Sequence, residues 1–347
     1  MADPPTASIG FTNGKAAGSA TPLIWAQAQY LRLVRDLQTG TLLDQPTITR
    51  TRYVKIGPPA VVPLTISSPA PGAITPTATT TVSGTTTPGA TVDIAAGQPG
   101  SATNTTSVVA TVADAHGAFR GAIPTPPGST VITVTATVGH HATGWAQETI
   151  TAAYPSLAPA YNNVGITSDS NTSPGDFDGV GDSYSAQALA AGTPDVLTPG
   201  STVTVDGVTL TWPSVPAGQS DNVVAEGQSF DMSGSGSTLG LLGASAFGTA
   251  TGTATITYTD GTTQALALTF SDWASSTPAP GTSIVNTTDR WDTPTGSNGT
   301  GGVRNIYFAS TPLQTGKTVA FVTLPNISNG VGVFTAMHIF AIAIGGS

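Results

Sequence analysis

Asp169, Asp176, Asp178 and Asp182 fall within one stretch, SDSNTSPGDFDGVGD, interleaved with glycines. Carboxylate oxygens on a flexible loop are the ligands of a hard cation such as calcium, which takes about six to eight oxygens. These four residues are therefore a candidate structural calcium site. The spacing is not that of an EF-hand, because Val180 stands where a ligand is needed and no glutamate closes the loop. A solvated acidic loop is the plainer alternative.

A second chemistry is carried by tryptophan. Sugars are held by stacking the apolar face of a pyranose on an aromatic ring while nearby Asp, Asn or Arg side chains bond the hydroxyls. Trp273 in FSDWASS and Trp291 in TTDRWDTPTG lie in turn-rich stretches beside Asp272, Asp289, Arg290 and Asp292. These six residues form the candidate carbohydrate site; the competing reading has either ring capping one end of a β-sandwich. Trp212 alternates in phase with Leu210 and is expected in the core. Trp25 and Trp145 belong to other segments and carry no expected binding role.

Other reaction types find little support. No Gly-x-Ser-x-Gly elbow occurs, and with no cysteine in the chain there are no disulfides, thiolate metal sites or cysteine nucleophiles. TGKT at 315–318 imitates the end of a phosphate loop, but Thr311 stands where the first glycine is required and no helical pattern follows, so a turn between strands is expected. His116, His140, His141 and His338 are scattered; the adjacent pair would point to opposite faces of a strand and reads better as a loop tip. There are 19 acids against 10 bases, net charge −9, and no basic cluster able to neutralise a run of phosphates, so nucleic acid is not an expected partner. Arg50, Arg52 and Lys55 form the one local basic cluster and read as a solvated linker.

The elements that must position these residues are almost all strands. Charged residues are only 8% of the 347, well under the roughly 25% of an average soluble domain, so solubility rests on Thr, Ser, Asn and Gln. That composition suits an extracellular surface. The opening MADPPTASIG has neither a basic start nor an apolar core, so no signal peptide is read there, and the longest apolar run, residues 331–346, is too short to span a membrane and reads as buried strand.

Residues 18–40 alone read as a helix, with Thr21 as N-cap, Pro22 at the first position, Leu23, Tyr30, Leu33, Val34 and Leu37 at helical spacing, and Gly40 as the stop. A Pro-punctuated linker, 46–62, follows. Residues 63–154 show short strands with turn residues between them, among them a run in which Ile132, Val134, Ala136 and Val138 share one face; this pattern predicts an immunoglobulin-like sandwich. Residues 155–347 predict a larger sandwich or jelly roll of about ten strands with no helix of any length. It includes hairpins at Asp206-Gly207 and Asp260-Gly261. The fold class is mainly β, with one N-terminal amphipathic helix.

The helix resembles the last helix of the (α/α)6 barrel in glycoside hydrolase family 15, the glucoamylases and glucodextranases. Gly18, Ser19, Ala20, Thr21, Pro22, Leu23, Trp25, Ala26, Ala28, Tyr30, Arg32 and Leu33 carry that likeness. TVSGTTTPGATVDI (81–94) and ADAHGAFRGAIPTPPGSTVITVTAT (113–137) resemble the glucodextranase B-type immunoglobulin-like module. The remainder, from YNNVGITSDSNTSPGDFDGVGDSYSAQAL to FSDW, resembles a β-sandwich module appended to actinobacterial secreted hydrolases. The resemblance implies that residues 1–45 are the stump of a barrel whose other helices are not in this chain. Family 15 enzymes invert at an α-glucosidic bond with a glutamic acid and a glutamate base, the base lying in a Glu-Gln motif just upstream of this helix. The only glutamates here are Glu148 and Glu226, both in β segments, and before residue 44 the only acids are Asp3 and Asp36. The catalytic pair is absent, so no glucosidase activity is expected.

The expected function is thus a non-catalytic accessory region of a secreted α-glucan hydrolase. It would bind polysaccharide or cell wall through the larger sandwich, with the immunoglobulin-like module as a spacer and self-association available to the exposed helix. A purely structural or adhesive stalk is the alternative. No cofactor beyond the candidate calcium is expected.

Overall fold

A computed structural model describes residues 24–40, 46–51, 59–76, 78–97, 99, 105–327 and 335–346. The expected N-cap Thr21, Pro22, Leu23, Arg52 and Lys55 lie outside these residues. Two compact units are distinguished. In the first, helix α1 runs Ile24–Thr39 and a single turn, α2, runs Thr47–Arg50. Gly40 ends α1 as expected: with φ +66° it turns the chain into the left-handed region, and its N–H bonds Asp36 O at 2.8 Å. Tyr30, Leu33 and Leu37 are exposed.

The second unit holds two hydrophobic cores, one in each of two sandwiches. The smaller sandwich is built from β1 (Leu64–Ser68), β2 (Ile74–Thr75), β3 (Ala78–Thr86), β4 (Thr91–Gly97), β5 (Thr105–Val112), β6 (Ala118–Thr125), β7 (Gly128–Thr137) and β8 (Gly144–Ala152). They form a three-stranded sheet, β1-β3-β6, and a five-stranded sheet, β2-β8-β7-β4-β5. This division, with first, second and fifth long strands on one side, is the immunoglobulin-type arrangement. The alternation of Thr with Val or Ile produces it: Val92 and Ile94 of β4, Ile132 and Val134 of β7, and Ile150 of β8 are buried between the sheets. Gly84 allows β1 and β3 to close, since a Cβ there would lie 2.0 Å from Thr65 O.

The larger sandwich contains β9 (Ile166–Thr167), β10 (Ser183–Ser185), helix α3 (Ala186–Ala191), β11 (Thr193–Pro194), β12 (Thr202–Val205), β13 (Val208–Thr211), β14 (Val223–Val224), β15 (Ser229–Gly234), β16 (Thr238–Ala246), β17 (Ala250–Tyr258), β18 (Thr263–Phe270), β19 (Thr282–Thr293), β20 (Gly296–Pro312), β21 (Val319–Thr323) and β22 (Ala336–Gly345). An eight-stranded sheet of order β14-β22-β16-β20-β19-β10-β9, with β11 also on β19, accompanies a four-stranded sheet, β15-β21-β17-β18, and the β12-β13 hairpin. The strands outnumber the ten expected because β9, β10, β11 and β14 are only two or three residues long, too short to alternate visibly. Helix α3 was not expected; at six residues it shows no period, and the Ser185 hydroxyl caps it by accepting Ala188 N–H at 3.1 Å.

Both hairpins form, the first with the expected two-residue turn and the second with a longer loop, in which Tyr258 N–H bonds Thr262 O and Gly261 alone takes a positive φ, +82°. Asp206 and Gly207 take φ +51° and +79°, and Val203 pairs Leu210 with both side chains inward. TGKT is a turn between β20 and β21 in which Lys317 pairs Asp260 at 3.1 Å. Strand β16 is buried along nearly its whole length. Its Gly240 faces Val208 of the hairpin and Phe308, and its Gly243 faces Phe270 of the four-stranded sheet.

A polar chain crosses this core. Buried Asp221 accepts N–H from Gly165 (3.1 Å) and Ile166 (2.9 Å) and an amide N–H from Asn222 (2.8 Å). The Asn222 Oδ1 lies 2.8 Å from Nδ1 of His338, which stacks on Phe177. Because the Asn222 amide nitrogen is directed at Asp221 and Asn163, its oxygen is the acceptor and His338 donates from Nδ1.

Burial pushes Asp221 up to about 7, against hydrogen bonds from Asn222, Gly165 and Ile166, and pulls His338 down to about 3. The folded protein therefore holds the Asp221 proton more tightly than the unfolded chain, and this group weakens the fold as pH rises from about 4 to 7. His338 acts oppositely, weakening the fold as pH falls from about 6.5 to 3. His338→Phe removes the second slope. Chemical denaturation of that variant should give a higher unfolding free energy at pH near 4.5 than at pH near 7, by about 3 kcal/mol. A flat profile, or one rising toward pH 7, would show that Asp221 is not held protonated by its surroundings.

Candidate functional site

The two tryptophans of the expected sugar site meet in the structure, but around a cation. Trp273 follows β18, and its main chain is pinned between β16 and β20: its N–H bonds Ser245 O and its C=O accepts Asn305 N–H, both at 2.7 Å. Trp291 is on β19, paired with Gly299 of β20. A Cβ on residue 299 would come within 2.2 Å of the Trp291 ring, so glycine is what lets the indole lie down on the neighbouring strand. Arg304 of β20 fills the space between the rings. Its guanidinium carbon is 4.4 Å from the Trp273 centroid and 3.5 Å from that of Trp291. Burial lowers the Arg304 pKa, and nearby Asp182, Asp272 and Asp178 oppose that by favouring the cation.

This geometry corrects the sequence expectation. Trp273 is only 4% exposed and belongs to the core, and Trp291 is half-buried with one face against Arg304. Asp272 accepts N–H from Gly248 and Ala274. Asp292 is fully buried, accepts the Thr167 hydroxyl at 2.6 Å, and is pushed up chiefly by burial. Arg290 is tied to Asp169 at 2.6 Å and to the Ser297 hydroxyl. Of the six residues only Asp289 is exposed. The two rings close on Arg304, and Asp272, Arg290 and Asp292 are engaged in structural bonds, so no open ring is left for a sugar face.

The four aspartates are also engaged. Asp169 holds Arg290 and the Ser185 hydroxyl; burial raises its carboxyl, but those bonds outweigh it and hold the pKa below the ordinary value. Asp176 accepts Gly181 N–H, and Asp178, raised mainly by burial, accepts N–H from Val180 and Asp182. Asp182 accepts the Trp291 indole N–H at 3.1 Å. Among the described residues no three His, Cys, Asp or Glu side chains converge as a metal would require. Asp169 and Asp182 tie the loop to β10 and β19, while Asp176 and Asp178 bond main-chain N–H groups within it.

Trp145, on β8 of the smaller sandwich, has 61% of its surface exposed. Inward residues of β8 are even-numbered (Glu148, Ile150, Ala152), so Trp145, Gln147 and Thr149 face out. The register places Trp145 opposite Thr135 of β7, and Thr135 opposite Asp93 of β4. The next row is Gln147, Thr133 and Ala95, with the Gln147 amide donating to the Thr133 hydroxyl at 3.1 Å. Strands lie about 4.8 Å apart, so hydroxyl, amide and carboxylate groups are available within one ring width of the indole and at the next strand beyond. The outer face continues through exposed Val108 and Val112 of β5. The patch is a platform of one large ring with hydroxyl, amide and carboxylate groups beside it. The signal that would have found it was present in the sequence: the phase that puts Trp212 with Leu210 inside puts Trp145 with Gln147 and Thr149 outside.

Residues 152–294 match the model of the AziU2-like beta-sandwich domain family. The match covers less than half of the chain and most of the larger sandwich's first strands. No curated protein matches. Among solved structures, an engineered protein shares 26% identity over 28% of this chain and 21% of its own, with a TM-score of 0.23. Carbohydrate-binding modules from the β-sandwich superfamily, described as promiscuous in specificity, share 13% identity over 81% of this chain and 96% of theirs, with a TM-score of 0.21. Bacteroides uniformis β-glucuronidase shares 9% identity over 79% of this chain and 31% of its own, with a TM-score of 0.22. The chain thus spans about a fifth of the first of these and under a third of the last.

Removing the Trp291 ring tests the structural assignment of the cluster. Trp291→Ala uncovers Arg304 and deletes the bond to Asp182, and should cost roughly 2–4 kcal/mol in urea denaturation. A change near zero would mean that the ring is a free surface group.

Proposed function

We propose that this chain is a non-catalytic, carbohydrate-binding accessory region of a secreted hydrolase of the family 15 type, and that it holds polysaccharide on the outer face of the smaller sandwich. The observation that carries this reading is the exposed Trp145 indole amid Thr135, Gln147 and Asp93. A sugar ring stacked there covers the apolar indole and finds hydroxyl, amide and carboxylate partners for its equatorial hydroxyls. The absence of a glutamate pair supports a role without hydrolysis, and the low charge of the chain supports an extracellular setting. Neutral α-glucan and cell-wall glycan are the polymers to which a face with one acid and no base is suited.

In this reading the immunoglobulin-type module is the binder as well as the spacer. The closed Trp273-Arg304-Trp291 cluster supports a bracing role for the larger sandwich.

Co-sedimentation of the whole chain with insoluble starch, dextran and bacterial cell wall tests the proposal. The wild-type chain should be retained on at least one polymer. Trp145→Ala should lose about tenfold or more in affinity without a change in melting temperature, since the side chain is exposed, while Trp291→Ala, where folded, should still be retained. Retention that is indifferent to Trp145→Ala, or no retention of the wild type on any of the polymers, would refute the proposal.

A further inference from the structure

A cleft of about 300 Å³ opens in the larger sandwich, between the segment before β9, strand β13 with its following turn, and strand β22. That volume is at the lower end of small-molecule sites. Beneath it Trp212 and Phe340, both buried, stack at 4.8 Å and 20° and make a rigid base. One wall is Tyr161, whose hydroxyl donates to Phe340 O at 3.2 Å and so fixes the ring. Opposite, β14 pairs β22 only at His338 and Ile339, and residues 340–343 line the cleft beyond that pairing.

The chemistry of the lining is selective. It contains no carboxylate, amide, guanidinium or ammonium group; its side-chain polar atoms are the hydroxyls of Ser156, Tyr161, Thr209, Thr211 and Ser214 and the indole nitrogen of Trp212. Burial and the charge of Asp221 push the Tyr161 phenol up to about 12, so it stays neutral through the physiological range. A charged ligand would give up hydration to a lining that carries no charge of its own, and an anion would also face the Asp221 carboxylate that acts on Tyr161. A sugar would find few of the planar, paired hydrogen-bonding groups that the Trp145 face provides. An uncharged ring or short chain with one or two polar atoms loses little and covers the half-buried Met232, Ile342 and Ala343 of the lining.

We propose that this cleft between β13 and β22 is a second binding site, for a small, uncharged, predominantly apolar organic molecule, separate from the glycan face. The neutral dye N-phenylnaphthylamine is the probe. Added to the intact chain, it should brighten saturably with one site per chain. Anilinonaphthalene sulfonate, of similar shape but charged, should bind at least about tenfold more weakly, and maltooligosaccharide should not displace the neutral dye. Ala343→Trp, which fills the cleft from β22, should abolish saturable brightening. The rim variant Thr211→Trp changes an exposed side chain of β13, keeps the fold, and should weaken binding about tenfold. The proposal is overturned by absence of saturable binding to the wild type, by equal binding of the sulfonate, by displacement with the oligosaccharide, or by undiminished affinity in Thr211→Trp.

Discussion

A guanidinium held between two indole rings is the contact on which the larger sandwich depends. Arg304 is taken out of water, which costs solvation of its charge. Two aromatic faces and the carboxylates of Asp182 and Asp272 offset that cost. The consequences spread through the sheet. Trp291 is laid across Gly299 and bonded to Asp182, Trp273 is drawn into the core beside Phe177 and Tyr184, and the loop that carries the aspartates is sewn to β19 through Asp169 and Arg290. Side chains that would serve a ligand if they were open are used to hold two strands and one loop together.

With those rings closed, the surface chemistry is decided by strand phase. A chain with so few charges must present hydroxyls and amides to water, and period-two alternation sorts them outward from Val and Ile. In the smaller sandwich this yields a flat face of Thr, Gln and Asp with Trp145 among them. An indole is costly to leave in water unless something covers it, and a pyranose face has the shape and polarity to do so. The cleft in the other sandwich follows from a different constraint, the early end of β14 alongside β22, and its uncharged lining selects a different ligand.

Much of the fold could be read from residue order alone. The Asp206-Gly207 and Asp260-Gly261 hairpins, the Gly40 stop and the inward series of β7 each depend on neighbours only a few residues away. The site could not be read in the same way. Trp291 meets Asp182 across 109 positions and Asp169 meets Arg290 across 121, so turn-rich surroundings made buried groups look open. Arg304 has no local signature at all; its role arises only when β19 and β20 pair. The short strands β9, β10, β11 and β14 exist because longer neighbours offer them an edge. Trp145 was legible, since its phase against Ile150 is visible in GWAQETITA, but the phase had to be weighed above the appeal of a turn-rich setting.

The central claim is that ligand recognition is on the Trp145 face and not at Trp273 or Trp291. Indole N–H resonances report this directly when the labelled whole chain is titrated with soluble maltooligosaccharide and with muropeptide-free cell-wall glycan fragments. The account predicts that the Trp145 indole signal moves progressively to saturation with one of them while those of Trp273 and Trp291 stay in place. Movement of the Trp291 signal with a static Trp145, or no movement of any indole with either glycan, would contradict it.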